Sequence, residues 1–162
     1  MESEKELEEE LKDLGSKLLK PQSSIDELLN LLDKVECCLA KVEQVPSRSM
    51  EDALLPAMTA LISDEFLRHS DMDVKVSVAS CITEITRITA PDAPYNDEQM
   101  KEIFQLTIAA LGNLSHVSTR CYYKAVTILD TVAKVRSCLM MLDLECDALV
   151  IDMFQHFLRT IK

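Results

Sequence analysis

The sequence predicts an all-α protein, and three observations support this fold class. Apolar residues recur at helical spacing in successive segments, hydrophobic residues make up 48% of the chain, and glycine occurs only twice in 162 residues. A composition rich in aliphatic residues and poor in glycine suits packed helices better than strands and turns. Because each segment has one apolar stripe, neighbouring helices must stack to cover one another.

Residues 1–22 are predicted to form a charged, helix-prone lead ahead of a helical domain over residues 23–162. The leucines of the lead recur every three or four positions, at Leu7, Leu11, Leu14 and Leu18. We expect a single narrow stripe among many glutamates to dock weakly or to fray. Pro21 interrupts the lead.

The second helix begins with a recognisable cap. Ser24 and Glu27 have the spacing of a capping box, in which the serine oxygen accepts from one free amide and the glutamate reaches back to another. The apolar stripe that follows consists of Ile25, Leu28, Leu29, Leu32, Val35, Leu39 and Val42.

A third helix is predicted to start at Ser49 and to contain a proline, Pro56. Its apolar side consists of Leu54, Leu55, Met58, Leu61 and Ile62. An internal proline costs about 3 kcal/mol, whereas burying each large side chain stabilises by roughly 1.5–3 kcal/mol. The helix is therefore expected to be kinked rather than broken.

The fourth helix follows an acidic start at 70–73. Its apolar stripe consists of Val74, Val78, Cys81, Ile82, Ile85 and Ile88. Valine and isoleucine also suit strands, but a period of 3.6 fits this segment and strict alternation does not. The polar residues Ser77, Thr83, Glu84 and Arg87 are expected to lie on another face, with Glu84 and Arg87 as a surface ion pair.

Similar stripes continue to the last residue, and Asn96 and Gln99 form a cap pair ahead of the next one. Helix starts near Ser49, Asp97 and Asp147 recur at intervals of about 50 residues, close to the length of known helical repeats. Because the final stripe has no stop signal, we expect about three helix pairs that form the N-terminal part of a longer array.

The connection after the fourth helix has an unusual composition: Ala90, Pro91, Asp92, Ala93, Pro94 and Tyr95. Each proline fixes its own φ and biases the preceding residue towards extended backbone. From the residues alone, two interpretations stay open. The segment is either a rigid connector or a preformed docking edge with a low ordering cost on binding.

Charge and hydropathy exclude several classes of partner. The net charge is −11, so direct binding of nucleic acid by this acidic chain is not expected, and basic partners are favoured. No stretch of about 18 apolar residues is present, so no membrane span is expected. The N-terminus carries no apolar signal segment.

The chain contains six cysteines, at Cys37, Cys38, Cys81, Cys121, Cys138 and Cys146. None of them forms a C-x-x-C pair, which favours small buried hydrophobes in a reducing compartment over disulfides or a metal site. His116 lies five residues from Cys121, but no third orienting residue can be placed beside them. We therefore expect neither an enzyme nor a cofactor, with catalysis through Cys121 or Cys138 as a minor alternative.

Two groups of residues resemble known families. Leu54-Leu55-Pro56, Asp71, Val74-Lys75 and Ala79 are similar to the HEAT-repeat signature, with lysine in place of its usual arginine. The run Leu67–Lys75, together with Arg87-Ile88 and Ala90–Tyr95, resembles the cohesin-associated sister-chromatid-cohesion family (precocious dissociation of sisters). This resemblance extends from about residue 50 to the C-terminus.

The resemblance implies a HEAT-repeat α-solenoid that acts as a non-catalytic scaffold on chromatin in the nucleus. It implies that the family binds the kleisin subunit of cohesin and docks short Tyr-Ser-Arg peptides of cohesin regulators, such as the wings-apart-like release factor. Carried over to this chain, the peptide site is Ala90, Pro91, Asp92, Ala93, Pro94 and Tyr95. The alternative is a generic HEAT or armadillo adaptor in transport or trafficking, in which this loop is only a spacer.

Overall fold

The computed structural model describes residues 2–89 and 94–112, and every regular element in these ranges is a helix. The helices are α1 (Glu2–Leu18), α2 (Ile25–Ala40), α3 (Arg48–Leu61), α4 (Asp64–Leu67), α5 (Met72–Thr89) and α6 (Asp97–Gly112). The all-α class is confirmed. The helices predicted beyond residue 112 lie outside the described residues.

The helices stack in two layers. Helix α1 packs on α3 and helix α2 packs on α5, while α1 also contacts α2 and α3 contacts α5. The pairs α1/α2 and α3/α5 therefore lie side by side, as in a HEAT-repeat solenoid. Helix α6 packs against α5 and the short α4.

Helix α1 is docked on α3 rather than frayed. Leu11, Leu14 and Leu18 are buried in the common core, and Leu7 packs against it. Gly15 permits the close approach, because a Cβ at this position would lie 2.6 Å from the Ala57 nitrogen and 2.7 Å from the Pro56 Cβ. The domain boundary at residue 22 stays a prediction, but α1 and α3 share one packed interface.

Helix α3 is continuous through Pro56, as expected. Its predicted apolar face is partly wrong, because Leu55 is 55% exposed. The small residues Ala53, Ala57 and Ala60 are buried instead, at positions that share one side of the helix. A close helix–helix contact favours small side chains there, and this requirement is not visible in a count of large hydrophobes. Ile25, at the start of α2, is likewise 46% exposed.

Two helix starts can be compared here with their predicted caps. The Ser24 hydroxyl accepts from the Glu27 amide at 3.2 Å, which confirms this cap, although the Glu27 carboxylate accepts from the Ser23 hydroxyl. The predicted start of the third helix at Ser49 is wrong by two residues, because the cap is Ser47. Ser47 caps α3 by accepting from the Met50 amide, while the Ser49 hydroxyl donates to Glu8 at 2.7 Å.

Helix α5 is buried on nearly every face, which corrects the predicted polar side. Ser77, Thr83 and Glu84 are all buried, as are Ser80 and Thr86. The hydroxyls of Thr83 and Thr86 donate to the carbonyls of Ala79 and Ile82 in the same helix, at 2.7 and 3.0 Å. Threonine can be buried on a helix because the carbonyl four residues earlier accepts its proton. Helix α5 is thus the centre of the described stack.

We expect Gly15→Ala to destabilise the protein. Alanine favours an isolated helix by up to about 1 kcal/mol, but the added methyl group overlaps the α3 backbone, and overpacking costs typically 1–3 kcal/mol. Urea unfolding should therefore show a net loss of about 1–2 kcal/mol. The control Ser16→Ala, at an exposed position of the same helix, should change stability by less than about 0.5 kcal/mol. A Gly15→Ala variant as stable as its parent would contradict the close α1–α3 contact.

Candidate docking site

The predicted site lies between the end of α5 and the start of α6. Ala90, Pro91, Asp92 and Ala93 lie outside the described residues, whereas Pro94 and Tyr95 are described and half-buried. The structure therefore describes the residues on either side of the four-residue segment, and these residues hold its two ends in place.

Tyr95 anchors the C-terminal side of the segment. Its hydroxyl donates to the Met58 carbonyl oxygen at 2.9 Å, and its ring packs against the core. Met58 lies in the last turn of α3, where helix carbonyls lack an amide partner further along the helix. Burial, and secondarily the neighbouring Cys81, raises the pKa of Tyr95 above its ordinary value, so its hydroxyl remains a donor across the physiological pH range.

The start of α6 adds a second fixed point. The Asn96 side chain accepts from the Gln99 amide at 2.8 Å, and the Gln99 side chain accepts from the Asn96 amide at 3.1 Å. This reciprocal pair confirms the predicted cap and satisfies two amides at the helix N-terminus. Tyr95 and Asn96 together fix where the chain enters α6.

Arg87 holds the N-terminal side of the segment. One of its terminal nitrogens donates to the carbonyls of Leu39 and Val42, at 3.1 and 2.9 Å, and its Nε donates to Glu84 at 3.2 Å. The predicted ion pair forms, but its placement at the surface is wrong, because the Glu84 side chain is only 11% exposed and that of Arg87 27% exposed. A planar guanidinium can bond a carboxylate and two carbonyls at once, so it joins the ends of α5 and α2.

A backbone hydrogen bond reinforces this junction. The Val45 amide donates to the Ile88 carbonyl at 3.3 Å. The connection between α2 and α3 therefore lies directly against the last turn of α5. The predicted loop thus follows a helix end that is tied to the preceding helix pair.

Sequence reasoning located the segment but missed its supports. Arg87 was expected on the surface, and Tyr95 was expected in the peptide site itself rather than among the residues that hold the segment. An arginine in the last helical turn is a general signal for binding helix-terminal carbonyls. That signal indicates the role of Arg87, although it does not identify which helix supplies the carbonyls.

The cysteines follow the expected pattern in part. Cys38 and Cys81 are buried free thiols, whereas Cys37 is an exposed free thiol, contrary to the expectation of burial. Burial, followed by the nearby Glu10 carboxylate, raises the pKa of Cys38 to about 11, which disfavours a nucleophilic thiolate at neutral pH. Cys121, Cys138 and Cys146 lie outside the described residues.

The described residues show neither a clustered metal site nor a membrane span. Within residues 2–89 and 94–112, no group of three or more histidine, cysteine or acidic side chains is placed to hold a metal ion. Among the described helices, none has the length and hydropathy needed to cross a bilayer. His69 accepts a hydrogen bond from the Asp71 amide at 3.0 Å, which is a local structural role at the start of α5.

The family model for "Sister chromatid cohesion protein PDS5 protein" matches residues 26–162. The chain belongs to the PDS5 family. The expected family is thereby confirmed, and the match includes the whole of the candidate docking site.

Two Arabidopsis thaliana relatives cover nearly the whole of this PDS5-family chain. Sister chromatid cohesion protein PDS5 homolog C is 58% identical over 161 residues, which is 99% of this chain and 18% of the relative. Homolog E is 59% identical over 155 residues, which is 96% of this chain and 16% of the relative. The chain therefore spans less than a fifth of the length of these curated relatives.

A solved structure supports the same fold. It is described as "Structure of the Pds5-Scc1 complex and implications for cohesin function", and one of its chains superposes with a TM-score of 0.74. The two chains are 29% identical, and the match covers 83% of this chain and 20% of that one. The helical stack is therefore that of a Pds5 HEAT-repeat segment.

We expect Tyr95→Phe to lower the free energy of unfolding by about 1 kcal/mol, because the Met58 carbonyl loses its donor while the ring stays packed. Urea unfolding measures this change. The control Ser70→Ala removes an exposed hydroxyl and should alter stability by less than about 0.5 kcal/mol. Equal stability of Tyr95→Phe and its parent would show that the hydroxyl does not anchor the segment.

Arg87→Lys is expected to cost about 1–3 kcal/mol, because a single ammonium group cannot reproduce the fork that joins Glu84 to two carbonyls. The matched control is Arg68→Lys, since Arg68 forms exposed ion pairs with Asp64 and Glu102. That change should cost less than about 1 kcal/mol. Similar losses in the two variants, measured by thermal and urea unfolding, would argue against a specific role of Arg87.

Proposed function

We propose that this PDS5-family chain is a non-catalytic protein-binding scaffold in sister chromatid cohesion in the nucleus. Within it, the segment Ala90–Tyr95 docks short Tyr-Ser-Arg peptides of cohesin regulators such as the wings-apart-like release factor. In the full-length protein the scaffold also binds the kleisin subunit of cohesin. The family match and the likeness to a chain of the Pds5–Scc1 complex support the cohesion role.

The observation that carries the docking proposal is the support on both sides of the segment. Arg87 ties the end of α5 to α2, and Tyr95 ties the C-terminal end of the segment to α3. Supports of this kind, together with two prolines in six residues, lower the conformational freedom that a loop loses on binding. A preorganised loop binds a short peptide with a smaller entropic cost than a free one.

The chemistry of the segment matches the proposed ligand. Asp92 supplies a carboxylate for the arginine of a Tyr-Ser-Arg peptide, and the prolines supply apolar surface for the tyrosine ring. The sequence resemblance placed Tyr95 among the residues that contact the peptide, whereas in this proposal Tyr95 holds the segment in place. Its hydroxyl bonds the Met58 carbonyl, so Tyr95 positions the segment instead of presenting that hydroxyl to the ligand.

The generic-adaptor alternative gives the segment no role beyond spacing. Replacing Ala90–Tyr95 by a neutral linker of six residues separates the two proposals, because a spacer can be exchanged without loss of partner binding. Membership of the PDS5 family favours the cohesion scaffold over a transport adaptor.

We expect Asp92→Lys to abolish binding of a Tyr-Ser-Arg peptide while leaving helicity unchanged. Reversing one charge opposite a ligand arginine replaces attraction by repulsion and leaves the helix interfaces intact. Isothermal titration calorimetry measures the affinity, and circular dichroism measures the helicity.

The matched control is Asp52→Lys, which makes the same charge change at an exposed position on α3. It should retain peptide affinity within about threefold of the parent, since a distant surface charge acts only through screened electrostatics. Equal affinity of the parent and Asp92→Lys would remove the segment from the mechanism.

A further inference from the structure

A second surface lies near the C-terminal end of α5, and it is acidic. A groove of about 550 Å³ runs between the first half of α1 and the connection from α2 to α3. Its floor is apolar, formed by Leu7, Val42 and Met50. Val42 and Met50 are buried, while Leu7 is half-buried and accessible from the groove. Of these three residues, Leu7 therefore offers the accessible apolar surface of the groove.

Carboxylates dominate the lining of this groove. Four exposed glutamates face it, and they are Glu4, Glu6, Glu10 and Glu43. Lys41 is the one basic residue of the lining, so four carboxylates and one ammonium group leave a net charge of −3. Among the described residues, none of these four glutamates forms an ion pair. Glu4 accepts from the Ser47 hydroxyl at 3.4 Å and Glu10 lies near the Cys38 thiol, but neither neighbour is a cation. The negative charge of the groove is thus available to a partner.

Val45 projects an apolar side chain at the rim. It is 81% exposed and has a φ of 58°, a backbone conformation that β-branched residues rarely adopt. Its amide donates to Ile88, and Arg87 holds the Val42 carbonyl nearby, so the connection is fixed from the side of α5. An exposed valine in this conformation contributes no burial to the described fold, and backbone strain of this kind can mark a functional position.

We infer that this groove binds a flexible basic segment of a protein partner, in which one aliphatic residue lies between lysines or arginines. The aliphatic residue packs on Val45 and the floor at Leu7, while the flanking cations face the glutamates of the rim. Charge complementarity of this kind favours the binding of basic partners and disfavours acidic ones.

The charge of the groove selects this occupant over others. Nucleic acid and anionic lipid surfaces carry the same sign as the glutamates and are repelled. A second copy of this chain also carries a net charge of −11. The site is independent of the Ala90–Tyr95 proposal, because its lining belongs to α1, the start of α3 and the connection before α3.

A defined peptide tests the groove. The probe is a fluorescein-labelled peptide, Gly-Lys-Lys-Leu-Lys-Lys-Gly, titrated with the full chain at low salt and followed by fluorescence anisotropy. We expect Glu6→Gln combined with Glu43→Gln to weaken binding by about fivefold or more. The control pair, Glu9→Gln with Glu98→Gln, makes the same change in net charge at exposed positions outside the lining. It should change affinity by less than about twofold. Equal losses in both pairs would show non-specific charge attraction and overturn the proposal.

Val45→Gly tests the apolar part of the site. Glycine adopts a positive φ without strain, so the melting temperature should rise by about 1–4 °C. Affinity for the leucine probe should nevertheless fall. A probe with serine in place of leucine should bind the parent at least as weakly as the leucine probe binds Val45→Gly, because serine loses the contact with Leu7 as well. If Val45→Gly binds the leucine probe as tightly as the parent does, the aliphatic anchor is wrong.

Two further measurements separate this groove from other binding modes. Asp92→Asn should retain affinity for the lysine probe within about twofold, and a loss there would assign the probe to the Ala90–Tyr95 segment instead. A labelled oligothymidylate should not bind the chain under the same conditions. Oligothymidylate binding that competes with the lysine probe would overturn the choice of a basic partner.

Discussion

The burial of α5 on nearly all of its surface is the constraint from which the described architecture follows. A helix with buried residues on every side needs neighbours on every side, and α2, α3, α4 and α6 provide them. The buried side chains of Thr83, Thr86 and Glu84 keep hydrogen-bond partners. The two threonine hydroxyls donate to carbonyls of the same helix, and Glu84 accepts from Arg87. In a solenoid, a central helix of this kind couples one helix pair to the next, because each pair alone leaves an apolar stripe uncovered.

The junction between the C-terminal ends of α2 and α5 connects this packing to the start of the proposed docking segment. Arg87 bonds carbonyls at the end of α2, and Ile88 accepts from the Val45 amide. The connection after α2 therefore lies beside the last turn of α5, on one edge of the stack. This edge carries the rim of the acidic groove and the helix end that precedes the proposed peptide-docking segment.

Close contact between α1 and α3 shapes the other layer. Gly15 faces Pro56 and Ala57, so the proline is accommodated where the partner helix offers no side chain. The cost of an internal proline is thereby offset by burial across a tight interface. This interface also places α1 against the connection that precedes α3, which forms the groove walls. The charged N-terminal helix consequently belongs to the packed layer.

The sequence by itself determined the helical class, the approximate positions of α1, α2, α3, α5 and α6, two of the caps and the location of the connection between α5 and α6. These features depend on residues within one or two turns of each other, so periodicity and cap spacing are sufficient to predict them. The sequence also carried the family resemblance, through the residues that end at Tyr95. By contrast, the pattern of hydrophobic residues does not indicate that Gly15 and Ala57 lie in the interface between α1 and α3.

Only the tertiary structure decided the partners of Arg87 and Tyr95. Arg87 reaches carbonyls 45 and 48 residues away, and the Tyr95 hydroxyl bonds a carbonyl 37 residues away. The tertiary structure also decided which side of α3 is buried and that α5 has no exposed polar face. The physical reason is that these outcomes depend on which helices become neighbours, a relation that local spacing along the chain does not contain.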